Sequence, residues 1–204
     1  MTAGQGIELV AFDLGNVMVR VEEGPPTRRL ARLAGRPYRE VFEAVFAPSR
    51  KALFESGKIT WQQHAENVIA SLGLDMSEPE LRAIYKTVLS PIPEAVQLVG
   101  RVLARCRITI ASNTAEPHWE WTRENLPFAD RFDPPVLSYQ VGAMKPDAAF
   151  YRNLVERSGL EPGEILFTDD RSENVDAALA AGIQAFQYLS PANLESQLRL
   201  RGLV

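Results

Sequence analysis

Five short apolar runs, each stopping at a polar or turn residue, constrain this chain more than any other feature. They lie at residues 7–12 (IELVAF), 107–111 (RITIA), 136–139 (VLSY), 164–168 (EILFT) and 184–189 (QAFQYL). Runs this short, apolar and rich in β-branched and aromatic residues suit strands buried on both faces of a parallel sheet. Helical patterns separate them, notably 148–158 before Gly159 and 173–181 before Gly182, where a glycine suits the residue just past a helix end. Ser190-Pro191 offers an N-cap and a first-turn proline for a final helix. Strands alternating with helices predict an α/β fold, a Rossmann-like doubly wound sheet covered on both sides.

The stretch 20–90 breaks that rhythm. It holds no convincing strand run but predicts helices over 39–46, 61–72 and 78–89, the last two opened by the capping-box patterns Thr60-x-x-Gln63 and Ser77-x-x-Glu80. The α/β pattern resumes after the stiff segment Ser90-Pro91-Ile92-Pro93. The expectation is a core made of residues 1–19 and 91–204, with a small all-helical cap, 20–90, inserted after the first strand.

Composition narrows the function classes. A length of 204 residues with 46% apolar residues suits one such domain with an insert. A net charge of −4 with scattered basic residues gives no footprint for nucleic acid or an anionic membrane. The single cysteine, Cys106, has no partner for an intramolecular disulfide. Residues 1–6 (MTAGQG) lack the basic and apolar regions of a secretory signal, and no run reaches bilayer length. A cytoplasmic protein is expected, with its oligomeric state open.

The unusual polar residues fall where an α/β sheet binds ligands. Asp13, Ser112-Asn113 and Asp169-Asp170 each follow a strand run directly, and the carboxyl ends of parallel strands share one edge of the sheet. Three acids converging there repel one another unless a cation intervenes, and hard oxygen ligands suit Mg²⁺. Ser112-Asn113-Thr114 supplies a hydroxyl and backbone N–H groups for a phosphate, and Lys145, in Lys145-Pro146, could neutralise charge. Each element has an ordinary reading when taken alone, as a helix N-cap, a turn or a solvated loop. Their order along the chain is what makes them a set.

That ordered set resembles the haloacid-dehalogenase superfamily of hydrolases. The matching segments are Val10-Ala11-Phe12-Asp13-Leu14-Gly15-Asn16-Val17, Ile110-Ala111-Ser112-Asn113-Thr114, Met144-Lys145-Pro146-Asp147 and Leu166-Phe167-Thr168-Asp169-Asp170. In detail the chain is similar to the phosphatase branch with a helical cap, which includes sugar-1-phosphate phosphatases and the phosphatase domain of epoxide hydrolases. The resemblance implies a phosphohydrolase acting on a small phosphorylated substrate such as a sugar phosphate. It implies Asp13 as nucleophile and Mg²⁺ ligand, the Gly15 carbonyl as a second ligand, and Asp170 as the direct acidic ligand from the last motif, with Asp169 beside it or acting through water. It also implies Ser112 and the Asn113 N–H on the phosphoryl oxygens, and Lys145 as a brace for Asp13.

One position departs from the family pattern. Where most of its phosphatases carry a second Asp, two residues after the nucleophile, this chain has Gly15, so the loop offers no group to protonate the leaving oxygen. Two rivals follow: a phosphate-binding or regulatory module without turnover, favoured by Gly15, and a haloalkanoate dehalogenase, for which a cluster of acids has no use. His64 and His118 fall in different predicted helices, so neither a zinc site nor a Ser-His-Asp triad is expected. Trp119 and Trp121 read as packing, Cys106 as half-core, and Gly4-x-Gly6 precedes its strand and so is no dinucleotide loop. In the cap, Arg50, Glu55 and Lys58 flank the turn Ser56-Gly57 and are candidates to face substrate.

Overall fold

The computed structural model describes residues 6–204, so the reading of residues 1–5 as lacking a signal lies outside the described residues. In chain order the elements begin with β1 (Leu9–Phe12), β2 (Val19–Val21), α1 (Gly24–Ala34), α2 (Tyr38–Val45), α3 (Pro48–Glu55), α4 (Trp61–Leu72), α5 (Glu78–Lys86), β3 (Leu89–Pro91) and α6 (Pro93–Val102). They continue with β4 (Arg107–Ser112), α7 (Glu116–Asn125), β5 (Val136–Leu137), α8 (Ser138–Val141), α9 (Ala148–Ser158), β6 (Ile165–Asp169), α10 (Ser172–Ala180), β7 (Gln184–Gln187) and α11 (Pro191–Arg199).

The main sheet is parallel throughout, in the order β5-β4-β1-β6-β7. β1 is central because all four of its residues are buried, and its side chains alternate between the two faces. Val10 and Phe12 join the larger apolar cluster, with Leu98 and Val99 of α6 and Leu194 and Leu198 of α11. Leu9 and Ala11 join a second cluster with Phe150 and Leu154 of α9 and Ala178 of α10. Both faces are therefore covered, which is the doubly wound α/β architecture expected from the runs. Strand order changes direction at β1, so the crevice between the ends of β4, β1 and β6 is where such a fold binds ligands.

Helices α1 to α5 form the cap region. Two of them, α1 and α3, were not among the expected helices, and they carry Pro25-Pro26 and Pro48. The prolines stand in the first turn, where a missing N–H costs no hydrogen bond. The expectation of no strand in 20–90 also needs correction. β2 and β3 pair antiparallel, Val19 with Pro91 and Val21 with Leu89, and close the neck of the insert. At three residues each, one ending in proline, they are too short to show a period. The expected strand over 136–139 shortens to Val136–Leu137, because Ser138 opens α8. Both capping boxes form. At Thr60, Gln63 N donates to Thr60 Oγ1 (3.1 Å) and Thr60 N to Gln63 Oε1 (2.9 Å). At Ser77 the Glu80 carboxylate reaches back to accept from both the N–H and the hydroxyl, each at 2.7 Å.

The cap touches the core at a point that demands glycine. Gly57 has φ 73°, and a Cβ there would lie 2.6 Å from the carbonyl oxygen of Tyr139 in α8. The C-terminal end of α3 is thereby seated against the core by backbone contact. Behind α3, Phe54, Trp61, His64, Tyr85 and His118 form an aromatic cluster, with Tyr85 stacked on His118 at 4.6 Å. Burial pushes His64 down to about 4 and His118 down to about 3, so both pack as neutral rings. Among the described residues, no helix is long and apolar enough to cross a membrane.

Candidate active site

Parallel pairing delivers the polar residues to one place. Phe12 lies level with Ile110 on β4 and Thr168 on β6, so Asp13 and Asp169, one residue on, and Ser112, two residues on, reach the same end of the sheet. Asp13 is fixed at the backbone, its N–H donating to the Thr168 carbonyl at 2.9 Å. The chain then turns tightly, with Asn16 in the left-handed region at φ 56° and the Met18 N–H donating to the Leu14 carbonyl (3.0 Å). Carboxylate oxygens of Asp13, Asp169 and Asp170 come within 4.8 Å of one another. Among the described residues this is the one group of three or more such side chains.

Lys145 holds the centre. Its Nζ donates to Asp169 Oδ2 (2.5 Å) and to the Ala111 carbonyl (2.9 Å), and pairs with Asp13 Oδ1 at 2.9 Å. All three ionic side chains are nearly closed to solvent, at 1% exposure for Lys145, 0% for Asp169 and 11% for Asp13. The lysine is placed by Asn113, whose side chain donates to the Lys145 carbonyl (2.9 Å) and accepts from its N–H (2.8 Å). Thus the Asn113 amide acts on the lysine loop, leaving only its backbone for a phosphate. The Ser112 hydroxyl is near enough to Asp13 to favour the carboxylate.

The three acids are not equivalent. Asp169 spends one oxygen on Lys145 and the other on the Arg171 N–H (3.0 Å) and Asn174 Nδ2 (2.9 Å). Asp170 is half-buried and accepts only a long contact from Asn16 Nδ2 at 3.5 Å. Burial pushes Asp13 up to about 6, with Lys145 pulling it down and Asp169 pushing it up. Burial and Asp169 likewise raise Asp170. One ammonium against three carboxylates leaves the cluster short of positive charge, and its donors are all oxygens. That set fits a hard divalent cation.

The acids open into a cleft of about 390 Å³, lined also by Gly15, Asn113, Lys145 and, from the cap, Lys51 and Glu55. A larger groove of about 800 Å³ beside α6 and α11, lined by Tyr188 and Leu189 just past β7, holds no acid cluster. Of the three cap candidates, only Glu55 faces the cleft. Arg50 lines a separate cavity with His64, and Lys58 is exposed on the surface. Lys51 was missed, although Lys51 and Glu55 stand four residues apart on α3, one helix face. Lys51 Nζ is held by Glu23 Oε1 at 2.7 Å. Burial pushes Glu55 up to about 7, Lys51 pulling it down while Glu23 and Asp13 push it up.

Removing the lysine should be costly. Lys145→Met strands Asp13 and Asp169 in a closed site without a counter-ion, and losing one partner of a buried ion pair costs about 3–5 kcal/mol. Urea unfolding at neutral pH should register that loss. A variant as stable as the wild type would show that the two acids take up protons there at little cost.

Residues 7–182 match the family of haloacid dehalogenase-like hydrolases. A sesquiterpene phosphatase of Aspergillus oryzae is 34% identical over 155 residues, covering 74% of this chain and 77% of that protein. The D-ribitol-5-phosphate phosphatase of Bacteroides thetaiotaomicron is 21% identical over 94% of this chain and 97% of its own length. A haloacid-dehalogenase family enzyme of the same bacterium, solved with magnesium and inorganic phosphate, superposes with a TM-score of 0.79 at 21% identity, covering 90% of this chain and 95% of that one. With most of its length matched and its ordered motifs drawn together at one crevice, the chain belongs to the haloacid dehalogenase-like hydrolase family, and its relatives include phosphatases.

Proposed function

We propose that the chain is a Mg²⁺-dependent phosphohydrolase that works through a phosphoryl-aspartate on a small phosphorylated metabolite such as a sugar or polyol phosphate. The observation that carries this reading is the set of three carboxylates around one buried lysine, short of positive charge and open to a small cleft. Asp13, Asp170 and the Gly15 carbonyl would hold the cation, with Asp169 bracing Lys145 or acting through water. A bound Mg²⁺ would draw electron density from the phosphoryl oxygens and offset the charge of the acids. The dehalogenase rival has no use for such a set.

The chain's own residues supply the rest. An Asp13 carboxylate oxygen attacks phosphorus, forming the acyl-phosphate bond as the bond to the leaving oxygen breaks, and that oxygen must gain a proton. Lys145 steadies the Asp13 carboxylate in line, while Ser112 and the Asn113 N–H bind phosphoryl oxygens. Water then attacks phosphorus, phosphate departs and Asp13 is restored. Because the transition state is loose and highly charged, positioning and neutralisation carry most of the acceleration. The small cleft and the polyol-phosphate phosphatase among the relatives support a small substrate.

A panel of sugar phosphates, polyol phosphates and nucleotides, with and without Mg²⁺, tests the proposal. Phosphate release from the smaller members, with acid-stable label trapped on Asp13 during turnover, is expected. Binding of inorganic phosphate without turnover of any member would favour the second reading, a regulatory module, for which Gly15 speaks.

A further inference from the structure

We propose that Glu55, carried on the cap helix α3, is the general acid and base of this site, supplying the proton that the loop after Asp13 has no side chain to give. The inference rests on the phosphohydrolase reading and extends it to the leaving group.

Glu55 is the last residue of α3 and lines the same cleft as Asp13 and Gly15. The nucleophile attacks from the core side, so an in-line leaving group departs toward the cap, where Glu55 stands. The residue is 9% exposed, yet among the described residues its carboxyl makes no hydrogen bond or ion pair. Lys51, one turn earlier on the same face, is instead taken by Glu23. A largely buried carboxyl without a hydrogen-bond partner, lining a reaction cleft, is poor for stability and useful for proton transfer.

Two residues beyond Glu55, the backbone of Gly57 lies against the Tyr139 carbonyl so closely that a Cβ would sit 2.6 Å from its oxygen. A proton donor must reach its acceptor at hydrogen-bond distance. This contact fixes the end of α3 relative to the core.

Protonation agrees with the role. Lys51 and Glu23 from the cap and Asp13 from the core are the charged groups around Glu55. Burial outweighs the lysine and leaves the carboxyl pushed up to about 7. The helix C-terminus adds partial negative charge in the same direction. Glu55–H donates to the leaving oxygen as the P–O bond breaks. The resulting carboxylate then takes a proton from the water that attacks the phosphoryl-aspartate, which returns Glu55 to its acid form.

The experiment measures single-turnover formation of the phosphoryl-enzyme, with Mg²⁺, for a series of aryl and alkyl monoesters of rising leaving-group pKa. In the wild type the rates should fall only gently along the series. In Glu55→Gln they should fall steeply. The variant should come within a few-fold of wild type for p-nitrophenyl phosphate, and about 10²-fold or more below it for alkyl phosphates. An equal loss across all leaving groups would overturn the proposal, since that is what a substrate-binding or purely structural glutamate would give. So would a wild-type series as steep as that of the variant, a result that does not depend on the variant folding. Glu55→Gln removes a buried charge without changing shape, so its melting temperature should not fall below that of the wild type. Failure of the underlying reading has a separate signature: wild-type protein that forms no Mg²⁺-dependent phosphoryl-enzyme from any ester.

Discussion

Asp13→Asn is expected to lower phosphate release by about 10⁴- to 10⁶-fold, the scale on which removal of a nucleophile acts in covalent catalysis. The amide keeps the size of the carboxyl and its backbone anchor, the 2.9 Å bond from its N–H to the Thr168 carbonyl. What it loses is the negative charge that makes the oxygen a nucleophile, and with it the ion pair with Lys145. Stability should move differently. A carboxyl whose folded value is raised to about 6 is penalised once ionised. The penalty grows as pH rises from about 4 to 6 and persists above that range. Near pH 7.5 the neutral variant should therefore melt no lower than the wild type in the absence of metal, and acidification should narrow any gap. Inactivity together with an unchanged or higher melting temperature would identify a chemical loss. Substantial turnover by the Asp13→Asn variant, purified free of wild type, would mean that another group, or an activated water, attacks phosphorus.

What the sequence made legible was whatever depends on local pattern and order. The apolar runs place β1, β4 and β6 by composition alone, and register then carries Asp13, Ser112 and Asp169 to one edge. The polar clusters were readable because a strand that stops at Asp or Ser is visible in one dimension. The cap was less readable, since its helices present charged faces whose orientation only packing decides. Arg50, Glu55 and Lys58 looked alike in sequence. The direction of α3 and the glycine contact at Tyr139 turn Glu55 into the cleft and leave Lys58 outside it. The same gap hid Lys51 and the groups that occupy Asp169. Nothing in Asp169-Asp170 says that the first oxygen pair is consumed by Lys145, Arg171 and Asn174 while the second faces the cleft.

Thorough chelation should abolish turnover, and Mg²⁺ should restore it. Three carboxylates within 4.8 Å of one another share one ammonium, and both Asp13 and Asp170 are raised from the usual carboxylate range. A divalent cation removes that deficit, and anything that binds only the folded state stabilises it by mass action. At free Mg²⁺ near 100 times its dissociation constant the gain is about 2.7 kcal/mol, readable as a rise in melting temperature. The gain should depend on pH with a definite sign. Protons compete for the same oxygens, so Mg²⁺ affinity should fall as pH drops through about 6, where Asp13 takes up its proton, and level off above that value. Asp170→Asn should weaken binding more than Asp169→Asn weakens it per unit of stability lost. Asp170 offers the more accessible oxygens, whereas Asp169 is already engaged by Lys145, Arg171 and Asn174. Raising Mg²⁺ should recover part of the Asp170→Asn activity and none of the Asp13→Asn activity, because only the first loss is one of affinity. Phosphate release that survives chelation, or a melting temperature indifferent to Mg²⁺ at neutral pH, would remove the cation from this site and leave the acid cluster to be explained by Lys145 alone.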